Sequence, residues 1–184
     1  MADIAFLLLI FFLVTTTINV DKGILHKLPP WDPDYEPPDV ETYKRNSFVV
    51  LINSQDILLI NGEIDKVDAI REKAKEFIDN RGQNPNLSDN PNVALVSLQN
   101  DRGTSYDMYI QVQNELKAAY RELRDGYAMQ KYQKTYTELK NLRLQAKKAK
   151  NKAGVQKYTD MMRAVTKEYP MRLSEAEPKE IGEG

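Results

Sequence analysis

The apolar positions of this chain are concentrated in one unbroken run near its start. Every residue from Ile4 to Val14 is apolar, and the only ionisable side chain before this run is Asp3. A helix that is apolar on all sides needs apolar surroundings along its whole length. Because a charged Asp costs roughly 2.5–3.5 kcal/mol at the centre of a bilayer, such carboxylates tend to have a function. Asp3 is therefore the first candidate functional residue.

Three interpretations of the run compete, and its flanks favour a membrane span. A secretory signal needs basic residues before the run and small residues at a cleavage site after it, and neither 1–3 nor 15–20 supplies them. A buried core helix is usually amphipathic, which 4–14 is not. A span needs about 20 apolar residues, whereas 4–18 supplies fifteen. Either the helix begins before Met1 in the gene product, or a partner completes its burial. Because no Lys or Arg precedes the run to set its orientation, we expect Met1 to be an internal methionine with a basic leader before it.

Short elements of secondary structure follow a polar tether. The stretch 27–39 is rich in Pro and acidic residues, so it cannot be helical and predicts an extended tether. The segments 47–52 and 56–60 have the composition of two strands that a turn connects. Apolar residues at helical spacing run from Ile64 to Ile78 and predict a helix that stops near Gly82.

A further strand and helix repeat this arrangement. Val93–Leu98 predicts the third strand, and Thr104 and Asp107 have the spacing of a helix-capping pair. Apolar residues at helical spacing continue that helix to Leu123. Residues 169–174 predict a short closing strand. Alternating strands and helices indicate an α+β fold, a small sandwich with the helices on one face of a short sheet.

The stretch between the last helix and the closing strand is strongly basic. Residues 129–168 contain eleven Lys and Arg against three Asp and Glu, and their weak apolar periodicity predicts a mostly helical insertion. It is either a solvated helix or a basic surface for an acidic partner or an anionic lipid. The sequence therefore predicts five parts. They are a transmembrane helix (1–20), a tether (21–46), an α+β domain (47–128), this basic insertion (129–168), and a closing strand with an acidic tail (169–184).

Composition disfavours several classes of chemistry. The net charge of −1 favours neither nucleic acid nor an acidic substrate as a partner. Without Cys there is no disulfide, thiol nucleophile or Cys-bound zinc, and the single His26 disfavours a multi-His metal site or a Ser-His-Asp triad. The turn Asp101–Gly103 lacks the Gly and Lys pattern of a phosphate-binding loop. We therefore expect no enzyme activity and no cofactor or metal.

Several segments, in this order, resemble the ExbD/TolR family of biopolymer-transport proteins. Asp3 and the apolar run after it are similar to the single transmembrane helix of that family, and Leu28-Pro29 is similar to its Leu-Pro segment beyond the membrane. Residues 48–62 resemble its first periplasmic hairpin, and 93–106 resemble its strand, turn and helix unit. The resemblance covers most of 3–125 and resumes at the closing strand.

The resemblance implies a proton-driven motor subunit of the bacterial inner membrane, with its C-terminal domain in the periplasm. Such a subunit lies as a homodimer inside a pentameric ring of ExbB-like subunits, and together they energise a TonB-like or TolA-like protein. Asp3 would carry the protons, because a carboxylate sheltered from water can bind and release them. Leu28 and Pro29 would bind a partner. The energy scale of such a motor is set by the membrane potential, because moving one elementary charge through 100 mV supplies about 2.3 kcal/mol.

Other interpretations remain open at the level of sequence. The chain could serve envelope maintenance, as TolR-like proteins do, instead of outer-membrane transport. It could also be an anchored periplasmic module that binds a peptide at a sheet edge without proton transfer. A peptidoglycan-binding stator is disfavoured, because no segment resembles a wall-binding module. Two features depart from the family pattern: no cytoplasmic tail precedes Asp3, and the basic insertion is longer than a minimal member needs.

Overall fold

The chain forms two compact units, a helix near its start and an α+β domain. The computed structural model describes residues 2–15 and 44–175, and within the first range the side chains of residues 4–11. The boundary between the units divides the chain into Met1–Asp39 and Val40–Gly184.

Helix α1 (Ala2–Thr15) is the described element of the first unit. None of the helices within 2–15 and 44–175 is long and apolar enough to cross a membrane. The predicted tether lies outside these ranges except for Lys44–Asn46, which form one 3₁₀ turn.

One mixed sheet of five strands organises the second unit. The order across the sheet is β3-β2-β1-β4-β5. The pairs β1–β2 and β2–β3 are antiparallel, whereas β1–β4 and β4–β5 are parallel. The strands are β1 (Ser47–Ile52), β2 (Leu58–Ile60), β3 (Glu63–Asp65), β4 (Leu95–Asn100) and β5 (Leu173–Glu175).

Four helices accompany this sheet, and two of them cover one of its faces. The helices are α2 (Val67–Ile78), α3 (Tyr106–Tyr132), α4 (Tyr136–Lys148) and α5 (Lys152–Glu168). Alternate residues of β1 point into the core, where Phe48, Val50 and Ile52 are at most 2% exposed. They pack with apolar residues of α2 and α3 such as Phe77 and Leu116. The predicted α+β sandwich with helices on one sheet face is therefore confirmed.

A hairpin replaces the predicted start of the first domain helix. Ile64 was predicted to be helical, but it lies in β3, and α2 begins only at Val67. Asn61 and Gly62 both have positive φ, 52° and 91°, which is the conformation of the tightest two-residue hairpin turn. This turn returns the chain so that Ile60 pairs with Glu63. The prediction was wrong for Ile64 because a three-residue strand is too short to show an alternating pattern.

The third strand and the cap of α3 are shifted from their predicted positions. β4 begins at Leu95, two residues after the prediction, because it pairs in register with β1 along its full length. Ser105 is the N-cap of α3 and its hydroxyl accepts a hydrogen bond from the backbone of Met108. The Thr104 hydroxyl instead donates to the carbonyls of Ile52 and Asn53, at 3.2 and 3.1 Å.

The basic insertion is a hairpin of two helices. Thr135 caps α4 with a reciprocal capping box to Glu138, and Asn151 caps α5. Leu139 and Val165 are fully buried against Ala128 of α3, so the hairpin has a small apolar core of its own. The prediction of a mostly helical segment is confirmed.

Tyr169 fastens the end of this hairpin to the rest of the domain. Its hydroxyl donates to Asp79 at 2.8 Å and accepts from Arg81 at 3.0 Å, both at the end of α2. The Arg124 guanidinium donates to the Tyr169 carbonyl at 2.8 and 2.9 Å. Burial raises the pKa of the Tyr169 hydroxyl to about 12, so the hydroxyl remains a donor at neutral pH.

Replacing Gly103 with Ala tests the turn between β4 and α3. An added Cβ would lie 2.7 Å from the Cβ of Ser54, so the change should lower the free energy of unfolding by about 1–3 kcal/mol. Gly126→Ala is the control, because it meets nothing within 4 Å on α3 and should raise stability by roughly 0.5–1 kcal/mol. Urea denaturation measures both, and equal effects would contradict the crowding.

Replacing Tyr169 with Phe tests the junction. It removes the two hydroxyl hydrogen bonds at Asp79 and Arg81, and hydrogen bonds to charged groups contribute about 1.5–3 kcal/mol each. Because Arg81 keeps its bonds to Asp79 and Glu168, we expect a net loss near the lower end of that range. Tyr158→Phe is the control, because the Tyr158 hydroxyl forms no hydrogen bond within 44–175. This variant should leave the unfolding midpoint unchanged in the same urea titration.

Candidate functional site

Helix α1 presents apolar side chains on all sides. It has 14 residues, which at 1.5 Å per residue give a length of about 21 Å. Its large side chains between Ile4 and Phe11 are 40–65% exposed. An apolar surface of this kind needs apolar surroundings that this unit does not supply within its described residues.

Asp3 lies in the first turn of α1, a position at which the helix dipole favours a negative charge. It is the only ionisable residue between Ala2 and Thr15. The surroundings of its side chain fall outside the described part of the chain. Leu28 and Pro29, the predicted partner-binding residues, also lie outside the described residues, so the roles of all three residues stay predictions.

In the second unit, the loops after the parallel strands β1 and β4 are held together at one end of the sheet. Besides the Thr104 hydrogen bonds to β1, the backbone N–H of Ser105 donates to the Asp56 carboxylate at 2.8 Å. Asp56 has a positive φ of 59°, which Asp tolerates better than most residues. The Asn53 side chain closes the same turn by accepting from the backbone of Gln55 and Ile57. The sequence predicted a turn at 53–55 and a strand from Asp56, but Asp56 lies in the turn and β2 begins only at Leu58.

A partly buried polar network fastens the edge strand β5 to α3. Gln113 is fully buried and its amide donates to Glu175 at 2.7 Å and to the Tyr109 hydroxyl at 2.6 Å. The Tyr109 hydroxyl donates in turn to Glu175 at 2.9 Å. Burial, assisted by Glu175, raises the pKa of Tyr109 to about 12. This edge of the sheet is therefore rigidly positioned by side chains.

The opposite edge and the uncovered sheet face are more open. Ile64 of the edge strand β3 is 76% exposed. A cleft of about 580 Å³ on the uncovered face is lined by apolar side chains of β1 and β2, including Val49, Leu51 and Leu59. Arg45 at its rim pairs with Asp89 at 2.7 Å. An exposed edge beside an apolar face is suited to binding an extended peptide.

A second cleft, of about 720 Å³, lies between α2 and α3 and is charged. Lys75 pairs with Glu122 at 2.7 Å, and this pair raises the pKa of Lys75 and lowers that of Glu122. The pKa of Arg81 is also raised, because its guanidinium donates hydrogen bonds to the Tyr169 hydroxyl and to the Asp79 carboxylate. The charges that line this cleft neutralise one another, because Lys75 pairs with Glu122 and Arg81 with Asp79.

Residues within 2–15 and 44–175 include no group of three or more His, Cys, Asp and Glu side chains that could hold a metal ion. What these ranges do present is a lone carboxylate on an apolar helix, and an exposed strand edge and apolar sheet face on a separate domain. These exposed apolar surfaces are the candidate contact sites of the described residues.

Comparison with known proteins agrees with this arrangement. A family model described as biopolymer transport protein ExbD/TolR matches residues 1–124, which include α1, β1 to β4 and most of α3. No curated protein matches the chain closely enough to count as a relative. Members of the family are accessory subunits of transport, typically anchored in the inner membrane with a periplasmic domain. Because the match covers well over half of the 184 residues, this chain belongs to the ExbD/TolR family of biopolymer transport proteins.

Proposed function

We propose that this chain is the proton-carrying subunit of a motor that the proton-motive force drives, and that Asp3 is its proton carrier. The observation that carries the proposal is the isolation of Asp3, the only ionisable residue of an otherwise apolar helix. The exposed apolar side chains of α1 support it, because they require a surrounding shell of other apolar groups. Family membership supports the same role in energy transduction.

The chemistry follows from the two protonation states of one carboxyl group. Ionised Asp3 favours polar or positively charged surroundings, and neutral Asp3 tolerates apolar ones. If the two sides of the membrane set different protonation levels, the preferred position of α1 against its neighbours alternates. Each charge moved through 100 mV supplies about 2.3 kcal/mol, enough to bias two positions of a helix by roughly fiftyfold.

The proposed partners follow from the same requirement. An ExbB-like pentameric ring would supply the apolar shell around α1 in the inner membrane, with two copies of this chain inside the ring. The folded domain would lie in the periplasm and transmit the movement to a TonB-like protein for outer-membrane transport, or to a TolA-like protein in envelope maintenance. Leu28 and Pro29 would contact a partner where the chain leaves the membrane.

A second function is favoured by the exposed edge of the domain. An extended segment of the TonB-like or TolA-like client could pair with β3, because Ile64 presents a large apolar side chain that is 76% exposed there and the adjoining face is apolar. Backbone pairing would give affinity, and pockets for alternate side chains would give specificity. This binding is compatible with proton transfer, and it would be the only function if Asp3 carried no proton.

Asp3→Asn is the direct test of proton transfer. Asn has nearly the same shape as Asp, but its amide does not bind or release a proton near neutral pH. Client-dependent uptake across the outer membrane should therefore be abolished. Co-purification with the ExbB-like ring should be unchanged. Asp21→Asn, which changes an Asp beyond the apolar run, is the matched control and should keep full uptake. Uptake by Asp3→Asn at the wild-type rate would leave only the binding function.

Replacing Ile64 with Gln tests peptide binding at the β3 edge. Burying an Ile side chain contributes about 2 kcal/mol, so the affinity of the periplasmic domain for the client peptide should fall by roughly tenfold to thirtyfold in a calorimetric titration. Thermal unfolding should be unchanged, because Ile64 is already exposed. Tyr106→Gln, at a residue that is 71% exposed on α3, is the control. Equal losses of affinity in both variants would argue against the β3 edge.

A further inference from the structure

The hairpin of α4 and α5 has the strongest charge segregation in the molecule. Residues 129–168 contain eleven Lys and Arg against three Asp and Glu, whereas the rest of the chain contains fifteen against twenty-four. The hairpin lies beyond residue 124, where the family match ends. Its charge is therefore not explained by the features that the chain shares with its family.

The positive charges at the far end of the hairpin are not compensated by acidic side chains within 44–175. Lys147, Lys148, Lys150 and Lys152 are exposed around the turn between the two helices, and none of them forms an ion pair in that range. The ion pairs of the hairpin there involve other residues, Arg163 with Asp160 and Glu168 with Arg81. Uncompensated charges this close together repel one another, so they favour an external anion.

An exposed apolar side chain lies among these cations. Leu144 of α4 is 45% exposed. On a helix its neighbours are the residues three and four positions away, which include Lys140, Lys147 and Lys148. Together with Lys150 and Lys152 these residues form what we call the basic tip. A leucine surrounded by lysines is the composition of helices that lie on membrane surfaces.

The type of cation and the shape of the surface distinguish a lipid from an acidic protein. The five cations of the basic tip are all lysines. Lys provides a flexible, strongly hydrated point charge, whereas Arg is preferred where a carboxylate is bound by two hydrogen bonds. The tip also surrounds an exposed turn between two helices, which a broad charged surface can approach.

We propose that the basic tip binds the anionic phospholipid headgroups of a membrane surface. The inference rests on the proposed membrane anchorage, which brings a bilayer close to the domain. The attraction between the lysines and the headgroups acts only at short range, because salt screens exposed charges over about 8 Å at physiological ionic strength. Docking through the tip holds the folded domain against the bilayer, and release frees it to reach the client protein.

A fluorescent label at the tip tests this directly. The chain has no Cys, so Ala149→Cys, at an exposed position in the turn, provides one labelling site in the full-length chain. Vesicles carry lipids with a spin-label quencher near the headgroup and contain either phosphatidylcholine alone or a mixture with phosphatidylglycerol. We expect quenching only with the anionic mixture, and we expect 0.5 M NaCl to remove it.

Charge removal at the tip should have a large and specific effect. Each basic residue near an anionic surface contributes about a fivefold factor in binding, so Lys140→Gln/Lys147→Gln/Lys148→Gln should lower the docked-to-undocked ratio by about a hundredfold. The matched control is Lys44→Gln/Lys66→Gln/Arg121→Gln, which removes three exposed cations elsewhere. It should retain the quenching, and circular dichroism should show unchanged helix content for both variants.

Flotation of the same vesicles separates this inference from the proposed anchorage. Flotation of the chain reports the anchor, and quenching of the label in the Ala149→Cys variant reports the tip. Equal quenching with neutral and anionic vesicles would overturn the inference, because it would show proximity without recognition of charge. Absence of quenching would also overturn it, as would crosslinking of the tip in cells to an acidic protein in place of lipid.

Discussion

The free-energy cost of a charge in apolar surroundings is the constraint on which this molecule depends. Asp3 lies in the first turn of a helix that has no other ionisable residue, and the described residues of this unit leave the large apolar side chains of α1 exposed. A carboxylate in that position is stable only if it is neutral or if a partner supplies compensating groups. In the proposed function, this cost is what allows the protonation state of Asp3 to change the position of the helix.

The folded domain has the opposite design, because polar and charged side chains join elements that lie far apart in the chain. Tyr169 joins Asp79 and Arg81, Arg124 holds the backbone of Tyr169, and Gln113 joins β5 to α3. These contacts join α2, α3, β5 and the end of the α4–α5 hairpin on the helical side of the domain. The face of the sheet without helices, the β3 edge and the basic tip are left to interact with other molecules. A rigid body with separate contact surfaces is suited to transmitting a movement that is generated elsewhere.

The sequence predicted the elements that are determined by residues close together in the chain better than those determined by distant contacts. β1 was predicted with its correct bounds because Ser47–Ile52 contains a long apolar β-branched run. The α3 helix and the insertion followed from periodicity and charge. β3 was missed although Asn61-Gly62 is a visible hairpin signal, because three residues show no pattern of their own. The true cap, Ser105, is a neighbour of the predicted Thr104, which is drawn away by the carbonyls of Ile52 and Asn53.

Contacts between distant residues could not be predicted from the sequence. Tyr169 meets Asp79 across 90 positions, and Gln113 meets Glu175 across 62, and no local pattern encodes such pairs. The uncompensated charge of the lysines at the basic tip is of the same kind, because a sequence shows the charges but not whether a fold neutralises them. The candidate proton carrier, in contrast, was visible from composition alone, since one carboxylate before eleven apolar residues stands out without a structure.

The most direct test of the central claim is an infrared difference spectrum of the chain assembled with its ExbB-like ring in vesicles. The account predicts that a carbonyl band of a protonated carboxyl group appears and disappears as a proton gradient is applied and removed. It also predicts that this band is absent from Asp3→Asn. A carboxyl group at Asp3 that stays ionised and freely exposed to water under both conditions would contradict the account.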